Sequence, residues 1–307
     1  MKDDALHELA EAGLTRREVV IGGGALALAA ALGLSLERGR LSPAIGRYLA
    51  RFQGGHVPPP AGGALLYRSF HSRVLGRAVE YGIAVPRGTA VGTPLPVCFC
   101  LPGRGGGPAD VLGGGLHMAD FLGEVTKASG RPFALASVAG GQSYWHRRAS
   151  GEDRMAMLVE EFMPLCERRY RLGGSRARRA AMGWSMGGYG VLLAAETYPG
   201  LFSAVVATAP AVWPTYRDMM NGPGDAFDSA ADFAAHDVIG HAARLAGTPL
   251  LVECGTKDPF YPYVQDLCAV LPAGAHHRYL PGGGHDFRSW GRLQPGALRF
   301  TARHLGG

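Results

Sequence analysis

No Cys-x-x-Cys spacing occurs among the five cysteines, which removes the zinc-ribbon and dithiol redox readings, and their odd number leaves at least one thiol unpaired in a monomer. No segment repeats at a fixed period, so solenoid and propeller architectures are excluded. Charged residues make up only 18% of the chain and apolar residues 47%, far from the composition of a disordered protein. The formal charge of +6 comes from arginines scattered among acids. Without a basic stripe, nucleic acid is not expected as a partner. The densest basic stretch, Arg168 to Arg179, straddles the end of a predicted helix, where cations favour the carbonyl terminus. A phosphate-binding loop is also missing. The run Gly103 to Gly107 is followed by Pro108 where Gly-x-Gly-x-x-Gly needs glycine, and no Gly-Lys-Ser/Thr follows. Neither a cofactor nor a metal is expected.

Glycine is abundant, at 47 residues of 307, and its short runs read as loops with unusual backbone angles. The first sixty residues form a separate unit of pattern. Arg16-Arg17 precede an uncharged apolar stretch, Val19 to Leu36, the layout of an export signal that resembles the twin-arginine type. Eighteen helical residues span about 27 Å against a hydrocarbon core of about 30 Å, so an uncleaved anchor associating residues 19–36 with a membrane is the alternative to cleavage. Residues 1–36 are therefore read as signal or anchor, and 37–63, with Pro58-Pro59-Pro60, as a Pro/Gly-rich tether. The catalytic domain is read as 64–307. Export machinery becomes an expected partner, and the location extracytoplasmic.

From Leu65 the pattern alternates in two strands that open the domain as a hairpin. A continuous apolar run follows at 95–101, as a parallel strand buried on both faces requires, and five more strands are read at 133–138, 179–183, 202–207, 249–255 and 277–280. Helical patterns lie between them at 110–128, 152–170, 187–198 and 263–271. This alternation predicts an α/β fold, a mostly parallel sheet with helices on both faces. Residues 211–247 break the alternation and are read as an insertion or cap over the sheet's carboxyl edge, where such sheets place ligands. Cys98 and Cys100 are read as small core residues. Cys254 with Cys268 is a candidate bridge whose pairing sequence alone leaves open.

Gly183-Trp184-Ser185-Met186-Gly187 follows a predicted strand and opens a predicted helix, the context of a nucleophile elbow in an α/β-hydrolase fold. A serine hydroxyl needs an adjacent base, itself oriented by a third group. In this fold the acid follows the serine and the histidine comes last. His285, in the loop Pro281 to Phe287 after the last strand, is the candidate base, while His276 and His277 read as surface residues. Asp258, in the loop leaving strand 249–255, is the candidate acid, with Glu253 and Asp286 as alternatives. The oxyanion donors are expected to be the backbone N–H groups of Met186 and Arg104, with Gly105 next after Arg104.

The chain resembles the putative-esterase branch of the α/β hydrolases, which includes S-formylglutathione hydrolase (esterase D), feruloyl esterases and the antigen 85 mycolyltransferases. The likeness covers about Phe70 to Trp290. It rests on Ser72 through Pro86 leading into Leu95-Pro96-Val97, on Leu101-Pro102-Gly103, and on Tyr170. It rests also on Gly183 to Gly190 with Tyr198-Pro199 and Phe202, and on Gly284-His285-Asp286-Phe287 with Trp290. The resemblance implies a cofactor-free serine esterase or acyltransferase. Arg104 stands where the family often has leucine, which implies a charged entrance favouring anionic substrates. The retained Gly187 and Gly188 depart from the antigen 85 pattern and argue against mycolyl transfer. Tyr144-Trp145-His146 resembles the family's aromatic segment, so Tyr144 and Trp145, with Trp184 and Trp213, are candidate substrate-lining residues.

The expected function is hydrolysis of an envelope or extracellular carboxylic ester through an acyl-Ser185 intermediate. The alternatives are acyl transfer to a sugar or lipid hydroxyl and, from another class, a non-catalytic binding protein on the same scaffold.

Overall fold

A computed structural model of the protein describes residues 62–306. The segment expected as signal or anchor, and all but the last two residues of the expected tether, lie outside the described residues. Eight strands form one sheet: β1 (Ala64–Ser72), β2 (Arg77–Val85), β3 (Val97–Leu101), β4 (Ala134–Val138), β5 (Arg179–Trp184), β6 (Val205–Thr208), β7 (Leu250–Gly255) and β8 (His276–Leu280). Their order is β1-β2-β4-β3-β5-β6-β7-β8. The hairpin β1–β2 joins β4 antiparallel, and every pairing from β4 to β8 is parallel. The expected α/β fold is thus the one found. β3, β4, β6 and β7 are buried at every residue, which is why they are mostly apolar and do not alternate.

The two faces of the sheet separate at neighbouring residues of β2. The ring of Tyr81 meets Phe162 at 5.7 Å, whereas a Cβ on Gly82 would meet Leu112 and Pro108 on the other side. One face is therefore covered by α1 (Pro108–Leu112), and the opposite one by the helical segment 154–170, here α3. α2 (Met118–Ser129) packs against the C-terminal helix α9 (Gln294–His304). The elbow helix α4 (Met186–Thr197) lies over β5 and β6. Between β6 and β7 come α5 (Tyr216–Asn221) and α6 (Ala230–Ala235), both capped by side chains, Thr215 and Ser229. α7 (Tyr261–Val270) follows β7, and α8 (Phe287–Gly291) follows β8.

Several boundaries differ from expectation for identifiable reasons. The single helix expected over 110–128 is two, because Gly113-Gly114-Gly115 breaks it. A Cβ at Gly113 would approach the Tyr67 hydroxyl to 2.7 Å, and one at Gly115 the Phe287 ring to 2.5 Å. β6 begins three residues late, and β8 begins at the exposed His276 and His277. All five cysteines are free, so the Cys254–Cys268 bridge is not formed. Cys98 and Cys100 are core residues of β3. Among the described residues no helix is long and apolar enough to cross a membrane.

Glu196, near the end of α4, is 3% exposed, and burial pushes its carboxyl up to about 8 from the ordinary 4.5, against the opposing pull of Arg244. A raised carboxyl keeps its proton longer in the folded than in the unfolded chain, so stability falls as pH climbs from about 4.5 to about 8 and levels off above. Glu196→Gln is expected to remove this slope. Melting temperatures across that window check it: the variant's advantage over wild type grows with pH, and a constant offset would contradict the assignment.

Candidate active site

The site begins with a strained turn. Ser185 stands between β5 and α4 with φ 54° and ψ −119°, a conformation that a non-glycine residue holds only when its surroundings determine it. Those surroundings are specific. The Ser185 N–H donates to the Thr208 carbonyl at 3.0 Å, and the Ser185 carbonyl accepts from Tyr189 and Ala211, each at 3.0 Å. Glycine is needed on both sides for room: a Cβ at Gly183 would lie 2.1 Å from the Gly187 carbonyl oxygen, and one at Gly187 would lie 2.0 Å from that of Leu101. The bend pushes the hydroxyl out of the sheet edge.

The base and the acid arrive on two loops joined to each other. After β7 and β8 the chains approach so closely that a Cβ on Gly255 would lie 2.2 Å from the Gly283 carbonyl oxygen. Lys257 N–H donates to that carbonyl at 2.8 Å, and Thr256 N–H to the Leu280 carbonyl at 3.0 Å. Thr256 Oγ1 accepts from Gly282 N–H at 2.8 Å. This seam fixes Asp258 beside His285: Asp258 Oδ2 lies 2.8 Å from His285 Nδ1, and His285 Nε2 lies 2.9 Å from Ser185 Oγ. The Asp258 side chain is wholly buried, while that of His285 is 24% exposed. Asp258 Oδ1 accepts from Phe260 N–H at 2.9 Å, leaving Oδ2 aimed at the imidazole. Phe260 and Trp290 flank the ring, with centroids at 5.2 and 4.8 Å.

The two alternative acids are occupied elsewhere. Asp286 caps α8 by accepting from Ser289 N–H at 2.7 Å, and Ser289 Oγ in turn accepts from Gly284 N–H at 2.9 Å, so Asp286 braces the histidine loop. Glu253 is fully buried on β7 against Arg278, and Thr208 Oγ1 donates to it at 3.4 Å. Burial holds its carboxyl up near 7 in spite of the arginine.

The glycine loop after β3 lies next to the nucleophile, since a Cβ on Gly103 would sit 3.6 Å from the Ser185 Cβ. Gly105 N–H donates to the Gly141 carbonyl at 2.7 Å and Gly106 N–H to that of Gly103 at 3.0 Å. Gly105 is thereby occupied as a donor. Met186 is the first residue of α4, and its N–H has no partner one turn back. The Arg104 guanidinium pairs with Asp225 and lies over the Tyr144 ring at 5.9 Å. The expected charge at the entrance thus has an acidic partner within the protein.

The four candidate lining aromatics also need correction. Trp145 and Trp184 are fully buried, and Tyr144 and Trp213 are 4% and 3% exposed. Trp145 is sealed against α4, where a Cβ on Gly190 would lie 2.4 Å from its ring. Tyr144 and Trp213 meet with tilted rings, centroids 5.7 Å apart, in a cluster with Phe227. They form the floor of residues 211–247 and not an open wall. Trp290 entered the sequence reading only as part of the family likeness and Phe260 not at all, yet both flank the imidazole; their nearness in sequence to Asp258 and His285 is the available signal. A groove of about 600 Å³ lined by His276, Arg278, Arg299 and Arg303 lies at the start of β8, the opposite end of that strand from His285.

A parallel sheet with a serine at its elbow and an acid–imidazole pair on the two following loops defines the α/β-hydrolase class. The family described as “Putative esterase” matches residues 72–300, and the chain belongs to it. It is a carboxylic-ester hydrolase. No curated protein matches the chain. Among solved structures, a ferulic acid esterase superposes with a TM-score of 0.67 at 20% identity, covering 80% of this chain and 99% of its own. An S-formylglutathione hydrolase from Agrobacterium tumefaciens gives 0.67 at 20% identity, covering 81% and 98%. Fluorophosphonate-binding serine hydrolase F from Staphylococcus aureus gives 0.64 at 19%, covering 78% and 98%. At these identities the likeness is one of fold.

Asp258→Asn is expected to lower kcat by about 10⁴-fold through the wrong imidazole tautomer. Glu253→Gln is expected to leave kcat near wild type, and Asp286→Ala to cost about 1 kcal/mol of stability as a lost cap. Steady-state kinetics on a chromogenic ester, with melts of each variant, check the assignment; a loss at Glu253→Gln matching that at Asp258→Asn would move the acid role.

Proposed function

We propose that the protein hydrolyses esters through an acyl intermediate on Ser185, with His285 as general base, Asp258 as its orienting acid, and the N–H groups of Met186 and Arg104 as oxyanion donors. The observation that carries this reading is the unbroken chain from Asp258 Oδ2 through His285 to Ser185 Oγ, at 2.8 and 2.9 Å. The carboxylate accepts from Nδ1–H, so the lone pair sits on Nε2, facing the hydroxyl. As Oγ attacks the ester carbonyl, its proton passes to Nε2, and the imidazolium is stabilised by the buried carboxylate. The carbonyl oxygen becomes an anion at the start of α4, where unpaired N–H groups and the helix dipole favour negative charge. The proton then leaves with the alcohol, the C–O bond breaks, and water activated by the same imidazole releases the acid.

Small-molecule esters are the proposed substrates, supported by the fold shared with a ferulic acid esterase and an S-formylglutathione hydrolase. An extracytoplasmic location is proposed from Arg16-Arg17 and the apolar run 19–36.

A fluorophosphonate probe is expected to label wild type and not Ser185→Ala, and that variant to lose roughly four to six orders of magnitude in kcat. Equal labelling of both proteins sinks the mechanism. Product analysis with an added alcohol separates hydrolysis from acyl transfer: free acid is expected, and a dominant new ester would assign transfer. Arg16→Lys with Arg17→Lys is expected to hold the protein in the cytoplasm, as cell fractionation would read.

A further inference from the structure

Away from the Ser185 site, three side chains of two separate segments converge in a way that their own hydrogen bonding does not explain. His146 follows the turn Tyr144-Trp145, whose residues both have positive φ, 54° and 58°, and its side chain is 1% exposed. His146 Nδ1 lies 3.1 Å from the Tyr144 carbonyl oxygen. A carbonyl only accepts, so Nδ1 carries the proton and Nε2 the lone pair. Nε2 has no hydrogen-bond partner, yet it faces Asp232 Oδ2 at 3.3 Å. Two acceptors held at that separation, one of them buried and the other 16% exposed, repel unless something positive lies between them.

The third group is His236, four residues beyond Asp232 and stacked on His146 with ring centroids 4.5 Å apart. Its Nδ1 lies 3.0 Å from Asp232 Oδ1 and 2.9 Å from the Asp232 carbonyl oxygen. One ligand atom from each of the three side chains lies within 4.8 Å of the others. A separation of about 3.3 Å is the edge of a tetrahedron whose corners stand about 2.0–2.1 Å from its centre, the Zn–N and Zn–O distance. The surroundings fit as well. A backbone carbonyl orients the His146 ring, Asp228 N–H donates to Asp232 Oδ2 at 2.8 Å, and Phe227 stacks on His146 at 5.0 Å. Ligating imidazoles are usually held in this way, with the second nitrogen bonded to an acceptor.

We propose that His146, Asp232 and His236 form a binding site for one divalent transition-metal ion of the zinc class, with water as the fourth ligand. Two imidazoles and one carboxylate suit zinc and its neighbours and disfavour magnesium and calcium, which take all-oxygen sets. The ion ties the strained turn at 144–146 to α6, segments more than eighty residues apart in sequence. Through Tyr144, which lies under the Arg104 side chain, it steadies the loop that presents the Arg104 N–H. None of the three ligands bonds Ser185, His285 or Asp258, so the role is positional and stands apart from the proposed chemistry.

The test uses full-length protein freed of metal with a chelator, titrated with zinc sulfate against a chromogenic zinc indicator and melted with and without zinc. Wild type and Ser185→Ala are expected to bind one more zinc than Asp232→Asn or His236→Ala, or to hold it roughly 10–100-fold more tightly, and to melt higher with zinc. Magnesium is expected to leave the melt unchanged. His236 has a side chain 28% exposed and Asp232→Asn preserves shape, so both variants keep the packing that a change at buried His146 would disturb; circular dichroism of the metal-free proteins checks this. A wild-type melt that zinc does not move, or a rise of equal size in both variants, overturns the proposal. Ser185→Ala binding zinc while losing probe labelling separates this site from the catalytic reading.

Discussion

The turn at Ser185 is the constraint on which the other features depend. A strand that ends in the middle of a parallel sheet can place a hydroxyl above the sheet edge only by reversing sharply into a helix, and this one does so at φ 54°. Such a bend costs on the order of 1–3 kcal/mol and leaves no room for a Cβ at Gly183 or Gly187. What holds it is the hydrogen bonding around one residue: Thr208 accepts from its N–H, and Tyr189 and Ala211 donate to its carbonyl. Those partners belong to α4, the end of β6 and the chain that leads into residues 211–247. The elbow is therefore determined by three neighbours, none of which is part of the reacting chain.

The acid and the histidine follow the same logic at longer range. Each loop is a short exit from a strand, the second of them rich in glycine at Gly282 to Gly284. Zipped together through Gly255, Thr256, Lys257 and Gly283, they behave as one rigid edge, braced beyond by Asp286 and Ser289. Asp258 then needs no charged partner in the core. It is buried but bonded on both oxygens, which satisfies the rule that a buried carboxylate must be paired.

Much of this was legible in the sequence because it rests on local signals. Continuous apolar runs mark strands buried on both faces, and Gly-x-Ser-x-Gly between a strand and a helix marks the elbow. His285 and Asp258 could be selected because each stands in a loop directly after a late strand. The aromatic residues were misread for a physical reason. Trp145 looks like a wall residue until Gly190, an unremarkable glycine in a helix, is seen to make the hole that the indole fills. The helices at 287–291 and 294–304 gave no clear periodic signal, the first because it is only five residues long and the second because its buried face is mixed with Gln294 and Thr301. The pairing of His146 with Asp232 joins segments that no local pattern connects; only the four-residue spacing of Asp232 and His236 was visible.

Strain in this molecule is not spread evenly. Tyr144, Trp145, Ser185 and Ala209 all have positive φ without being glycine, and they follow β4, β5 and β6, three strands that end at the same edge of the sheet. Left-handed backbone at a bulky side chain is tolerated only where other contacts outweigh it. At Ala209 the compensation is a 2.6 Å hydrogen bond to the Glu253 carbonyl, and at Trp145 it is complete burial against α4. The Tyr189 hydroxyl, on that same helix, donates to the His236 carbonyl at 2.9 Å, so α4 anchors the elbow at its start and the 211–247 segment along its side. A single helix thus couples the strained turn that presents the hydroxyl to the aromatic floor beside it. That coupling gives a physical reason for α4 to be buried along nearly its whole length, where an ordinary surface helix would expose one face.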